Sequence, residues 1–232
     1  MDATGLLEAA KEGNLADIQS LHISGADLNE VNSSGSSALI IAADKNHLHV
    51  MEYLVKNGAD LHLQTKMGGT ALSRAAANGN LDMLHLLIEH KVEINGLGLI
   101  AAARAGHAEA VQLLLQNGSD VNAQQRWGHT ALMVAAKEGH FDIVKALIEA
   151  GANVALRDKN ADTAYTIATE NDQPEIATLL KRAGAKPVTK PKKEAPAPPP
   201  DESEEEEELD DDTPHVDDLV SSDQSPDEVE LD

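Results

Sequence analysis

The sequence predicts an all-α solenoid of short helix pairs, followed by a disordered acidic tail. Three observations carry this reading. A short Ala-rich pattern returns along residues 1–186 at intervals near 33 residues. Each return is followed by a stretch whose apolar residues fall at helical spacing. Beyond residue 186 the pattern stops, and the composition shifts to Pro, Lys and Ala and then to runs of Glu and Asp.

The elements follow in order. The first copy is shortened at its front and reads Leu6-Leu7-Glu8-Ala9-Ala10 before Gly13-Asn14. Ser37 to Ala43 (SALIIAA) precedes Asn46-His47, and Thr70 to Ala76 (TALSRAA) precedes Gly79-Asn80. Leu97 to Ala103 (LGLIAAA) precedes Gly106-His107, and Thr130 to Ala136 (TALMVAA) precedes Gly139-His140. Thr163 to Thr169 (TAYTIAT) is a degenerate last copy. Small side chains in these stretches let one helix lie close to its neighbour. The second stretches carry a stripe, as in Met83, Leu84, Leu87 and Ile88, in Val111, Leu114 and Leu115, and in Ile143, Val144, Leu147 and Ile148. A glycine then stands where a left-handed helix cap is expected, at Gly25, Gly58, Gly118, Gly151 and Gly184. One copy lacks it and has Lys91-Val92-Glu93 in that slot. A single pair cannot bury its apolar face, but a stack of pairs can.

Composition excludes several functions. There is no cysteine, so disulfides, thiol chemistry and cysteine-ligated metals are out. No apolar run approaches the roughly 20 residues that span a bilayer, and the N-terminus lacks the pattern of a secretory signal. A cytoplasmic chain is expected, with the nucleus as an alternative. His47, His107 and His140 share one slot, where copies one and three carry Asn14 and Asn80. A structural role at the start of a helix accounts for both residue types. No metal-binding helix motif, nucleophile elbow or phosphate loop is present, so no catalytic residue and no cofactor is expected. Nucleic-acid binding is disfavoured, because residues 1–186 hold 22 Asp/Glu against 15 Lys/Arg and aromatic residues are scarce.

The period, the T-x-L-x-x-A-A pattern, the following G-H and the closing G-A-D-V-N resemble the ankyrin repeat. Six copies fall in register over residues 1–186, at approximately 1–31, 32–64, 65–95, 96–124, 125–157 and 158–186. The outer two are expected to act as caps. The resemblance implies an ankyrin-repeat solenoid of helix-turn-helix pairs, with short β-turn fingers projecting forward and protein partners bound on the concave surface. The family's T-P-L-H has lost its Pro and His in every copy, as at Ala71 and Ser73 or Ala131 and Met133. The hydrogen bonds of that His must be replaced or lost. Gly79 to Gly106 spans 27 residues, six short of the period. The missing residues belong to a finger, so a tight turn near Asn95 and a gap in the concave face are expected.

The resemblance places partner contacts at finger tips and at the exposed ends of first helices. Those slots hold Arg126, Trp127 and His129, then Lys159, Asn160 and Asp162, with Lys66 and Met67 in an earlier finger. The helix slots hold Lys45, Arg104, Lys137 and Glu138, and Arg157 lies between fingers. Trp127, the only Trp, falls at a tip, and Trp and Arg are enriched at interface hot spots.

Residues 187–200 read as a Pro/Lys/Ala-rich linker and residues 201–232 as a disordered acidic tail. Together they hold 18 Asp/Glu and 3 Lys. The leading expectation is a non-enzymatic, monomeric adaptor that binds another protein, its tail tuning solubility or binding. The alternative is a chaperone or escort for a basic client, such as a ribosomal protein or histone.

Overall fold

The computed structural model describes residues 3–186; the expected linker and tail lie outside the described residues. Twelve helices follow one another among the described residues: α1 (Ala3–Glu12), α2 (Leu15–Ile23), α3 (Ala38–Asp44), α4 (Leu48–Lys56), α5 (Ala71–Ala77), α6 (Leu81–Glu89), α7 (Gly96–Ala105), α8 (Ala108–Gln116), α9 (Ala131–Glu138), α10 (Phe141–Glu149), α11 (Ala164–Glu170) and α12 (Pro174–Arg182). They pair as α1–α2 through α11–α12. Each odd-numbered helix packs on the next odd-numbered one, and each even-numbered helix on the next even-numbered one. Two helical layers result. No described helix is long and apolar enough to cross a membrane.

The inner, odd-numbered layer begins with side-chain caps. The hydroxyls of Ser37, Thr70, Thr130 and Thr163 accept from the backbone N–H three residues on, satisfying donors that the first helical turn leaves open. In α5 and α11 the bond is reciprocated. Ser73 Oγ accepts from Thr70 N–H at 2.9 Å, and Thr166 Oγ1 accepts from Thr163 N–H at 2.7 Å. These hydroxyls stand where the family's His would be. In α3 and α9 that place is apolar, Ile40 and Met133, and only the forward bond remains. The Ala pairs 42–43, 75–76, 102–103 and 135–136 are fully buried between successive inner helices. The outer layer contributes Met51 and Leu54, Met83 and Leu87, Val111 and Leu114, Val144 and Leu147, and Leu180, all fully buried in the same core.

The histidines of the shared slot link one pair to the preceding pair. His47, His107 and His140 make no capping bond. The ring Nε2 of each donates to a carbonyl of the preceding inner helix: Lys11 at 3.0 Å, Ala77 at 3.0 Å and Arg104 at 3.1 Å. A carbonyl only accepts, which places a proton on Nε2. Each ring lies against the left-handed glycine that ends that helix. A Cβ on Gly79 (φ +65°) would stand 2.6 Å from the His107 ring. Asn14 and Asn80, by contrast, do cap, accepting from Asp17 and Met83 N–H. Asn80 also reaches the preceding pair, donating to Asn46 Oδ1 at 2.7 Å. Asn46 itself holds the left-handed conformation (φ +63°) that glycine holds elsewhere, and Lys91 (φ +57°) does so in the slot lacking glycine.

The connections between pairs form fingers, and the fingers hydrogen-bond to one another. Lys66 N–H donates to Ser34 O at 2.9 Å, and Lys159 N–H donates to Trp127 O at 3.1 Å. Between these two contacts the series is interrupted. The finger before α7 is absent. Asn95 N–H turns back to Glu93 O at 3.2 Å, and Asn95 Oδ1 accepts from Leu97 N–H at 3.2 Å to open the helix. The expected tight turn is therefore present. Aligned on the closing glycines Gly106 and Gly139, α7 starts two residues earlier than α9. Those residues, Gly96 and Leu97, occupy the base of the missing finger. Gly96 has no room for a side chain, since its Cβ would stand 1.9 Å from Ala123 Cβ.

Two predictions follow from this packing. Gly96→Ala should destabilise by about 1–3 kcal/mol through overpacking, against the helix preference for Ala. Gly98→Ala meets only ordinary contacts, the nearest being Leu72 at 3.6 Å, and should be neutral or stabilise by up to about 1 kcal/mol. Urea unfolding of both variants checks the contrast; equal shifts would refute it. His107→Ala removes a link between pairs and should cost about 1–2 kcal/mol, read as a lower urea midpoint at unchanged slope.

Candidate protein-interaction face

The finger tips and the exposed ends of the inner helices share one face. Trp127 stands at the tip of the finger before α9 and is 61% exposed. Two cations flank its ring, Arg126 Cζ at 5.9 Å and Lys159 Nζ at 5.6 Å from the centroid. Such pairs are worth about 0.5–1 kcal/mol at exposed sites. Lys159 belongs to the next finger, so the contact also braces two fingers. Trp127 thus meets the neighbouring finger through Lys159 over its ring while more than half of its surface stays open.

Beneath Trp127 the missing finger leaves a cleft of about 860 Å³. Its walls bring together six of the expected residues: Lys66, Met67, Arg104, Arg126, Trp127 and His129. Asn95, Gly96, Leu97 and Ala123 form its base. Met67 is 82% exposed on the wall opposite Trp127. Arg104 Nη2 donates to Gln125 Oε1 at 3.4 Å, which holds the guanidinium at the rim. His129 is positioned from behind, its Nε2 lying 3.2 Å from Asp158 Oδ2. The Asp158 carboxylate is buried and accepts from Asn160 and Asp162 N–H at 2.8 and 2.9 Å. It organises the last finger.

The remaining expected residues are more dispersed. Lys137, Glu138, Arg157, Lys159 and Asn160 are exposed around the last two fingers and α9. Arg157 Nη1 donates to Ala161 O at 3.4 Å. Lys45 lies well apart, in an ion pair with Asp44 at 3.5 Å and beside a separate depression with Arg74 and Lys11. Asp162 departs from expectation. It is only 7% exposed, because its backbone closes the last finger by accepting from Asp158 N–H at 2.9 Å. That turn carries its side chain inward rather than to the tip. Sequence reasoning also missed Leu97, Gln124 and Gln125 in the cleft. The six-residue deficit was the signal for them, since removing a finger uncovers whatever lies below it.

Comparison with known proteins agrees with this architecture. A family profile described as ankyrin repeats (3 copies) matches residues 6–96 and again 99–191. The human ASB11 ankyrin repeat domain is 29% identical and superposes with a TM-score of 0.68, covering 78% of this chain and 84% of its own. An ankyrin repeat domain from Acinetobacter baumannii AYE is 31% identical, also with a TM-score of 0.68, covering 80% of this chain and 100% of its own. A search of curated proteins gives no significant match. Ankyrin repeats are generally protein–protein interaction modules. With both halves of its helical stack matched, the chain belongs to the ankyrin-repeat family.

Proposed function

We propose that this chain is a non-enzymatic adaptor that holds a partner protein on its finger face, centred on the cleft below Trp127. One observation carries the reading. The only Trp of the chain stands exposed between two cations, above a cleft that a missing finger has opened. An exposed indole costs solvation that packing within the stack does not recover, and partner burial would recover it. Arg126, His129, Arg104, Lys66 and Met67 complete the contact surface, and Lys159 positions the ring. Lys137, Glu138, Arg157 and Asn160 form its rim. The acidic segment at 201–232 tunes solubility or binding.

The test is affinity capture from cell extract with the full chain and with Trp127→Ala and Arg126→Ala. A partner retained by the natural chain should be lost from both variants. For the isolated pair, Trp127→Ala should weaken binding by about 2 kcal/mol or more, roughly thirtyfold in Kd. An unchanged set of captured proteins would place the site elsewhere.

A further inference from the structure

We infer that the cleft left by the missing finger binds an extended, acidic segment of a partner protein, whose backbone takes the place of the absent finger. The inference rests on the finger face being the interaction face and adds the chemistry of what it holds.

The backbone supplies the first argument. In both finger-to-finger contacts, the N–H of one finger donates to a carbonyl of the finger before it. Aligned on the left-handed residue of each tip (Gly35, Gly68, Gly128, Ala161), the donors Lys66 and Lys159 correspond to Arg126, and the acceptors Ser34 and Trp127 correspond to Met67. Both Arg126 and Met67 border the gap. Among the described residues, Arg126 N–H and Met67 C=O take part in no backbone hydrogen bond. The space around Gly68 shows the same vacancy. A Cβ there would meet only Leu97 at 3.8 Å, whereas on Gly35 and Gly128 it would meet the backbone of the next finger at 3.1 and 3.0 Å. The gap therefore offers one donor and one acceptor in the positions a finger would use. An extended peptide satisfies both, as in recognition by strand addition.

Charge supplies the second. Lys66, Arg104 and Arg126 border the cleft and no carboxylate does. Among the described residues no ion pair occupies any of the three. Residues 61–81, 94–108 and 121–137 contain no Asp or Glu, although residues 1–186 hold 22 of them. Asp44 lies part-exposed on this face beside another finger, so the face admits a carboxylate, and the lining of the cleft has none. Cations crowded without counter-charges repel one another, and an acidic segment relieves this. Met67 and Trp127, exposed on opposite walls, provide the apolar contact. The segment is thus acidic with one aliphatic side chain among its carboxylates.

Trp127 is the only Trp, so its fluorescence reports the cleft directly. The full chain is titrated with a Trp-free peptide of about twelve residues, rich in Glu and Asp around one Leu, and with its Lys-substituted counterpart. The acidic peptide should change Trp127 emission saturably, with affinity falling at least about tenfold between about 50 and about 500 mM salt. Arg104→Ala/Arg126→Ala should weaken it about tenfold or more, while Lys181→Ala/Arg182→Ala on α12 should leave it unchanged. Inserting a six-residue finger between Asn95 and Gly96 should abolish binding; the Arg104/Arg126 pair decides the matter should that insertion not fold. No saturable change, equal binding of the basic peptide, or full affinity in the Arg104/Arg126 variant would each overturn the inference. If the captured partner is still lost from Trp127→Ala, the interaction face stands and only its acidic ligand is wrong. If the captured proteins are also unchanged, the face itself is misplaced.

Discussion

A side chain at the opening of an outer helix reaches back over a left-handed residue to the preceding pair, and the stack depends on that reach. His47, His107 and His140 do this through a carbonyl, and Asn80 through Asn46. Gln173 lies against Gly139 in the same way. The Ala-rich inner helices supply closeness but little direction, since methyl groups slide over one another at little cost. The polar reach fixes how far each pair is displaced and turned against the last. Each link joins only neighbours, so stability accumulates pair by pair. The glycines are part of the same device: a Cβ at Gly79 or Gly106 would occupy the space of the imidazole ring.

This explains why the finger face varies while the stack does not. Fingers add backbone bonds to one another but little apolar burial. Losing one removes contacts at the front and leaves the two helical layers continuous behind it. Here α5 and α7 still pack on each other, and Gly96 fits against Ala123 of the segment that follows α8. The site is therefore built by subtraction, with walls from the third and fifth pairs and a base from the turn and helix that replaced the finger.

Much of this was legible in the sequence because it is written in short, local patterns. Helix caps, closing glycines and apolar stripes are set by residues within a turn or two of one another, and the deficit between Gly79 and Gly106 is a simple count. What escaped was set across pairs. The shared His slot reads as a helix-start residue when only its own helix is considered; its partner is 30 to 36 residues upstream. Asp162 reads as a tip because it follows Lys159 and Asn160, but Asp158 draws the backbone of both ends of that turn together. The left-handed Asn46, Lys91 and Ala161 were hidden because sequence suggests that conformation only where glycine marks it. The pairing left open at Arg126 N–H and Met67 C=O belongs to backbone atoms that every residue shares, so no side-chain pattern announces it.

The turn at Asn95 has one more consequence. On either side of it the chain is held by its own contacts: Lys91 closes α6 behind, and the Asn95 cap and the Gly96–Ala123 contact set α7 ahead. Chain length at this point is thus uncoupled from helical register. A segment added just before Asn95 would leave the Asn95 cap on α7 in place and lengthen only the front of the stack, much as a socket accepts interchangeable fittings.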